Sequence, residues 1–156
     1  MRILFVCMGN ICRSPTAEAA VAEALAEAGL GDNVFLDSAG TGSWHVGDPP
    51  DPRMASAAQQ QGLVLTGKGR QFTPADFDRF DLICVMDKAN LRKVREQARD
   101  ESDLEKVRMF RDFDTDADAP ELPDPYFGGE EGFRRVVLAA RAAARGLAEH
   151  VAAQAR

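Results

Sequence analysis

The sequence predicts an α/β fold, a three-layer sandwich in which a four-stranded parallel sheet carries helices on both faces. Two observations support it. Short apolar runs alternate along the chain with longer segments that have one apolar helical face. The chain has 156 residues, enough for one domain with a stable core. Because strands that alternate with helices pair in parallel through right-handed crossovers, we expect residues 1–156 to form a single domain of Rossmann-like architecture.

The first strand and the first helix have the clearest signals. Residues 3–6 are a continuous apolar run, which is typical of a strand buried on both faces. Ser14 is suited to cap the N-terminus of the helix that follows, with Pro15 at the first helical position. An apolar face with helical spacing then continues to Ala28, and Gly29 is placed to end the helix.

The later elements follow the same alternation. Further strands are predicted at residues 34–36, 80–86 and 107–110. Further helices are predicted at 51–61, after an Asp87 N-cap, and from 133 to 151. Residues 38–50 and the Asp-, Pro- and Gly-rich segment 112–129 are predicted loops. Gly146 costs about 1 kcal/mol relative to alanine inside a helix, so we expect the last helix to bend or fray there.

Composition narrows the class of function and the location. The formal net charge of -6 and the pI of about 4.9 argue against a nucleic-acid or membrane-surface binder, which needs a basic face. No stretch approaches the roughly 18 apolar residues of a membrane span, so no membrane insertion is expected. The apolar start of the chain is too short for a signal peptide. Three cysteines, an odd number, suit a reducing compartment, which predicts a cytoplasmic protein.

The loop after the first strand is the first candidate site, because ligands of such sheets bind at the carboxyl ends of strands. A short loop that leads into a helix N-terminus directs several backbone N–H groups at an anion. Arg13 can add two parallel hydrogen bonds to phosphate oxygens. The sequence therefore predicts that Arg13 clamps phosphate or a similar oxyanion in a loop formed by Met8, Gly9, Asn10, Ile11, Cys12 and Ser14.

Cys7 stands at the mouth of this loop and is the candidate nucleophile. The donors that hold phosphate also favour a thiolate, and the Ser14 hydroxyl can donate to the sulfur. The Cys-x5-Arg spacing alone is weak, since three Cys and 15 Arg give about 0.3 coincidental pairs in such a chain. On the spacing alone, Cys7 could equally be a buried thiol at the end of a strand, and Arg13 a surface charge. Their place between a buried strand and a Ser-Pro helix start favours catalysis.

A cysteine nucleophile also needs an acid that protonates the leaving oxygen. The candidate is Asp124, because Pro123 and Pro125 restrict the backbone on both sides of it. Tyr126 and Phe127 then supply an apolar wall that can stack on an aromatic substrate. The alternative is a solvated loop carboxylate, and the same loop holds four more, Asp112, Asp114, Asp116 and Asp118. Of the two histidines, His45 is expected at the rim beside Trp44.

Over nearly its whole length the chain resembles the low-molecular-weight protein tyrosine phosphatases. The resemblance rests on separated motifs in a fixed order, namely residues 6–15, 37–41, 49–53, 70–71, 86–87, 90–91 and 124–126. It implies a four-stranded parallel sheet and phosphotyrosine-containing proteins as substrates. It implies Cys7 as nucleophile, Arg13 as phosphate clamp and Asp124 as acid and then base. No metal or other cofactor is expected, because the loop and Arg13 neutralise the phosphate charge.

The resemblance also implies supporting roles. Asn10 and Ser38 would form a hydrogen-bonded brace behind the loop, and Trp44 and Tyr126 would line the substrate cleft. The chain departs from the family at two positions. Phe127 stands where a second tyrosine is frequent, so a regulatory phosphotyrosine is absent there. The family often has a histidine near Gly67 that this chain lacks, so the loop contacts around Lys68 are left open.

Three alternative functions and the role of Cys12 stay open. Thioredoxin-coupled arsenate reductases share the loop but need two further cysteines seven residues apart, and Leu91 follows Cys84 at that distance. Protein-arginine phosphatases carry threonine where this chain has Ile11. A module that binds phosphate or phosphotyrosine without turnover would not need the intact nucleophile, clamp and acid. Cys12, finally, is either a packed free thiol or a partner that traps oxidised Cys7 as a disulfide.

Overall fold

The computed structural model describes residues 1–126 and 128–155. Its four strands are β1 (Arg2–Cys7), β2 (Phe35–Gly40), β3 (Leu82–Val85) and β4 (Val107–Met109). Its α-helices are α1 (Arg13–Glu27), α2 (Pro52–Gln60), α3 (Asp76–Arg79), α4 (Lys88–Glu96), α5 (Glu101–Glu105) and α6 (Glu130–Gln154). Two short 3₁₀ helices lie at Gly31–Asn33 and Phe110–Phe113.

The four strands form one parallel sheet in the order β2-β1-β3-β4. Cys7, the last residue of β1, pairs with Gly40 at the end of β2, while Val6 pairs with Val85 at the end of β3. From β1 the chain first adds β2 on one side and later β3 on the other, so the strand order reverses beside β1. The carboxyl end of β1 is therefore the switch point at which such sheets bind ligands.

The sheet separates two apolar cores, because successive side chains of a strand point to opposite faces. Ile3 and Phe5 of β1 lie in the core shared with α1, α2 and α6. Leu4 and Val6 lie in the opposite core, together with Phe77 of α3 and other apolar side chains. The predicted three-layer α/β fold with four parallel strands is confirmed.

Several element boundaries differ from the prediction. β2 extends to Gly40, because Ser38 pairs with Phe5 in the ladder although its polar character suggested a loop. β3 starts only at Leu82, since Phe80 ends the short helix α3. The helices α3 and α5, of four and five residues, were not predicted, because they are too short to show an apolar period.

The start of α1 corrects another expectation. The helix begins at Arg13, with Cys12 at the N-cap and no side-chain cap. Ser14 is fully buried in the first turn, and its hydroxyl interacts with Asn10 and Cys7 instead. The predicted Ser14 cap is therefore wrong. The predicted end is confirmed, since Gly29 has a φ of 73° just beyond the helix.

The last helix runs without interruption through Gly146 to Gln154, so the predicted fraying at Gly146 is wrong. A Cβ placed on Gly146 would collide with the carbonyl oxygen of Phe113. The glycine is thus required by the close approach of the 3₁₀ helix at Phe110–Phe113, and packing offsets its poor helix propensity. Among the described residues, no helix combines the length and the apolar character that a membrane crossing requires.

Candidate active site

The loop after β1 turns backbone N–H groups towards its own centre. The carbonyl oxygens of Cys7 and Met8 accept hydrogen bonds from Thr41 and Gly42, outside the loop, at 2.8 and 2.9 Å. In a trans peptide the N–H points away from the preceding carbonyl, and the described residues contain no cis peptide. The N–H groups of Met8 and Gly9 therefore point inward, as an anion-binding loop requires.

The Cys7 sulfur lies within this ring of donors. Cys7 as a whole residue is only 2% exposed. The Asn10 N–H donates to the Cys7 Sγ at 3.2 Å, and the Ser14 Oγ lies 3.1 Å from the same sulfur. The Asn10 side-chain amide donates to the Ser14 Oγ at 2.8 Å. Because that bond occupies a lone pair of Ser14, its proton is free to point at the sulfur. Two donors, the Asn10 N–H and the Ser14 hydroxyl, can therefore point at the Cys7 sulfur.

Asn10 fixes the shape of the loop from behind. Its φ of 58° is in the left-handed region, which asparagine tolerates better than most residues. Its amide donates to the Ser38 Oγ at 3.0 Å, and its carbonyl oxygen accepts from the Arg70 N–H at 3.0 Å. A side chain bonded at both ends cannot flip without losing both bonds. The Asn10–Ser38 hydrogen bond that the family resemblance implied is therefore present.

Arg13 is buried beside the loop, and acceptors on other elements orient it. Its Nη1 donates to the Asp87 Oδ2 at 2.7 Å and to the Leu122 carbonyl oxygen at 3.0 Å. Its Nη2 lies 3.6 Å from the Asp124 Oδ2. Burial lowers the pKa of Arg13, but the negative charges of Cys7, Asp87 and Asp124 outweigh it and raise that pKa above its usual value. Arg13 therefore stays cationic, as a phosphate clamp must.

Asp124 comes from a segment far along the chain. Its side chain is 38% exposed, and its Oδ1 accepts a hydrogen bond from the Tyr126 N–H at 3.1 Å. The segment is anchored at its start, where the Leu122 N–H donates to the Met86 carbonyl oxygen at 2.8 Å. This anchor holds the segment near β3, and Asp124 lines a cavity that Cys7 also lines.

That cavity has a volume of about 240 Å³ and brings together most of the predicted site residues. It is lined by Cys7, Met8, Gly9, Ile11, Cys12, Arg13, Trp44, His45, Asp124 and Tyr126. Asn10, Ser14 and Ser38 lie behind the loop as parts of its brace. Trp44 is 77% exposed, so it stands at the rim. The predicted role of Phe127 in the cleft lies outside the described residues.

Sequence reasoning missed the second function of Asp87. It was expected only as a helix cap, and its Oδ1 does accept from the Asn90 N–H at 2.7 Å. Its other oxygen binds Arg13. The signal was available, because Asp87 follows the strand β3, which lies next to β1 in the sheet. Carboxyl ends of neighbouring parallel strands meet at one edge, and Arg13 lies there too.

The other two cysteines are not equivalent to Cys7. Burial, reinforced by the charges of Asp51, Cys7 and Asp124, raises the pKa of Cys12 to about 12. Cys84 is fully buried in β3, as expected of a strand thiol, and burial raises its pKa far above the usual range. Both are therefore protonated at neutral pH. All three cysteines are free thiols.

Comparison with known proteins agrees with this geometry. A sequence profile of the low molecular weight phosphotyrosine protein phosphatases matches residues 2–156. A low molecular weight protein-tyrosine-phosphatase of Streptomyces coelicolor is 44% identical over 148 residues, which cover 94% of this chain and 90% of that protein.

Two solved structures share the fold along all or nearly all of the chain. A protein tyrosine phosphatase from Entamoeba histolytica, with Hepes in its active site, superposes with a TM-score of 0.96 at 36% identity. The comparison covers 100% of this chain and 99% of that one. A drosophila arginine phosphatase superposes with a TM-score of 0.89 at 32% identity, over 97% and 98% of the two chains. The chain belongs to the low molecular weight phosphotyrosine protein phosphatases, a family of hydrolases.

Proposed function

We propose that this protein hydrolyses phosphotyrosine in proteins through a cysteinyl-phosphate intermediate on Cys7. One observation carries the proposal. The Cys7 sulfur, hydrogen-bonded within an anion-binding loop, shares a cavity of about 240 Å³ with the Arg13 cation and the Asp124 carboxyl group. A nucleophile, an oxyanion clamp and a candidate acid therefore face the same space.

In the first step the substrate phosphate binds the N–H groups of the loop and Arg13. The Cys7 thiolate attacks phosphorus in line, which forms the S–P bond and breaks the bond from phosphorus to the phenolic oxygen. Asp124 donates its proton to that oxygen, so tyrosine leaves as a neutral phenol. The loop and Arg13 stabilise the charge on the three remaining phosphoryl oxygens during the transfer.

In the second step water replaces the thiolate. Asp124, now a carboxylate, accepts a proton from a water molecule that attacks phosphorus and breaks the S–P bond. Inorganic phosphate leaves, the Cys7 thiolate returns, and Asp124 carries the proton for the next cycle. We expect inorganic phosphate to inhibit competitively, because it fits the same donors.

The test is hydrolysis of p-nitrophenyl phosphate at mildly acidic pH by wild type and by Cys7→Ser. The variant should lose about 10⁴-fold or more in kcat, because a neutral hydroxyl replaces the thiolate. It should still bind phosphate, measured by calorimetry. Acid quench followed by mass spectrometry should find phosphate on Cys7 of the wild type. Appreciable turnover by Cys7→Ser would contradict the mechanism.

A protein-arginine phosphatase is the second candidate, because a solved drosophila arginine phosphatase shares the fold. Ile11 argues for phosphotyrosine. It is 7% exposed and lines the cavity, where its branched apolar side chain favours a flat aryl group. Matched phosphotyrosine and phosphoarginine peptides decide between the two. Faster turnover of phosphoarginine by wild type would reverse the assignment, and Ile11→Thr should shift preference towards phosphoarginine.

Arsenate reduction and binding without turnover have less support. An electron relay needs exchangeable thiols, whereas Cys84 is fully buried with Leu91 seven residues on. A binding module needs no acid opposite the loop, yet Asp124 lines the cavity. We also propose that residues 1–156 act as one cytoplasmic domain, which the three free thiols support.

A further inference from the structure

Arg53 connects the two sides of the cleft without lining it. The side chain is at the start of α2, is half-exposed, and contacts three separate parts of the chain. We propose that Arg53 is a positioning residue that holds the acid loop, residues 122–126, against the phosphate loop, so that Asp124 stays within reach of the leaving oxygen. This inference rests on the proposed function.

The first contact ties Arg53 to the phosphate loop. Asp51, which caps α2, donates its N–H to the carbonyl oxygen of Ile11 at 2.9 Å. The Asp51 carboxylate accepts from the Arg53 Nε and Nη2 at 3.2 and 3.0 Å, one oxygen to each nitrogen. Hydrogen bonds from Arg53 lower the pKa of Asp51, so the pair is charged on both sides at neutral pH. A bidentate pair of this kind fixes the plane of the guanidinium group.

The second contact ties that plane to the acid loop. The Arg53 Cζ lies 5.1 Å from the centre of the Tyr126 ring and 4.9 Å from the centre of the Phe133 ring. Both distances are within the range of cation–π attraction. Phe133 belongs to α6 and is buried, so it gives the guanidinium a rigid support. The Tyr126 ring is thereby held against a fixed group.

Tyr126 in turn restrains Asp124, the proposed acid. Its N–H donates to the Asp124 Oδ1 at 3.1 Å, so displacement of Tyr126 would carry Asp124 with it. The free protein also has the Arg13–Asp124 attraction, at 3.6 Å. Substrate phosphate competes for Arg13, so this attraction weakens when Asp124 is needed. The contact with Arg53 does not involve the phosphate and persists through the reaction.

Lysine should replace Arg53 only in part. The planar guanidinium donates in its plane to Asp51 while its faces meet aromatic rings, whereas an ammonium is a point charge without such a plane. The chain offers a matched control in Arg134, which lies in the same surface groove and is 56% exposed against 50% for Arg53. Its side chain pairs with Glu131 at 3.8 Å.

The experiment measures kcat/KM for aryl phosphates that differ in leaving-group pKa, in Arg53→Ala, Arg53→Lys and Arg134→Ala. Arg53→Ala should lose about tenfold on phenyl phosphate and less than about twofold on dinitrophenyl phosphate, which needs little acid assistance. Arg53→Lys should fall between it and wild type. Arg134→Ala should match wild type, and the inhibition constant of inorganic phosphate should be unchanged throughout.

A double-mutant cycle separates positioning from general loss of structure. In an Asp124→Ala background, Arg53→Ala should change kcat/KM by less than about twofold, because the group it positions is gone. Equal loss on all leaving groups, weaker phosphate inhibition, or an unchanged Arg53→Ala beside an active wild type would overturn the inference. Absence of turnover in the wild type would instead overturn the proposed function and the inference with it.

Discussion

The two sides of the candidate site are held in different ways. The phosphate loop is a continuous stretch between β1 and α1, where Cys7, Asn10 and Ser14 bond to one another within eight residues. Asp124 is more than a hundred residues away and is 38% exposed, and its segment depends on contacts with Arg13 and with the Met86 carbonyl oxygen. The proposed nucleophile thus has bonding partners within its own stretch of sequence, besides the outer brace of Ser38 and Arg70, whereas the proposed acid is placed by the tertiary fold alone.

Among the tests of this contrast, Asp124→Ala should have the largest effect. Loss of the proton donor should slow phenyl phosphate by about 10³-fold, and dinitrophenyl phosphate much less, because general acid catalysis matters most for basic leaving groups. Steady-state kinetics over a series of aryl phosphates measures this slope. An equal loss for every leaving group would assign the acid role to another residue and remove the contrast.

Asp87→Asn comes next, because Asp87 joins the two sides through Arg13. The amide keeps one hydrogen bond but removes the charge that faces a buried guanidinium, so kcat/KM should fall about 10²-fold. Asp100→Asn is the matched control, since Asp100 caps α5 by the same kind of bond. If both variants lose activity equally, loss of a helix cap explains the effect.

A smaller effect, on stability, is expected from Gly146→Ala. Helix propensity alone predicts a gain of about 1 kcal/mol. The collision of the new Cβ with the Phe113 carbonyl should instead lower the free energy of unfolding by about 2 kcal/mol. In Gly132→Ala, a control in the same helix, the new Cβ lies 3.9 Å from Pro125 and should be tolerated. Urea unfolding of wild type and of the two variants measures whether each substitution raises or lowers the free energy of unfolding.

The smallest effect concerns the support behind the phosphate loop. Burial raises the pKa of Glu18, a hydrogen bond with Ser38 opposes the shift, and the charge of Asp37 adds to it. A raised folded-state pKa means that the folded protein holds this proton more tightly than the unfolded chain. The resulting stabilisation is present below the unfolded-state pKa and is lost as pH rises through the folded-state value.

Glu18→Gln removes this titration. Relative to wild type, the variant should therefore be more stable at pH 7.5 than at pH 4, measured as the difference in melting temperature at each pH. If the difference in melting temperature between variant and wild type is the same at both pH values, the pKa of the Glu18 carboxyl group is not raised. Activity should change little, because the Asn10–Ser38 bond remains.

The sequence predicted what depends on neighbouring residues. The run at 3–6 and the glycine at 29 sufficed for β1 and for the end of α1. Family motifs added the hydrogen bond between Asn10 and Ser38, which are 28 positions apart. Ser14 was misjudged as a cap, because a hydroxyl near a helix start has the same local pattern whether it caps the helix or faces a thiolate.

What sequence reasoning missed depends on packing between distant segments. The bond from Asp87 to Arg13 requires the strand order β1-β3, and the contact of Arg53 with Tyr126 requires α2 and the acid loop to meet. Gly146 has a poor helix propensity, and only its close contact with the Phe113 carbonyl oxygen explains why a glycine is needed there. Contacts between distant segments produce no periodic pattern of residues in the sequence. They can be recognised only once the helices and strands are packed together.

The position of Trp44 has a practical consequence for spectroscopy. It is the one tryptophan in the sequence, and it stands 77% exposed at the rim of the cavity. Excitation at its absorption band therefore observes a single indole at the entrance of the cleft. A peptide that covers this ring should shift its emission to shorter wavelength, so a titration can follow occupancy of the cleft without any label.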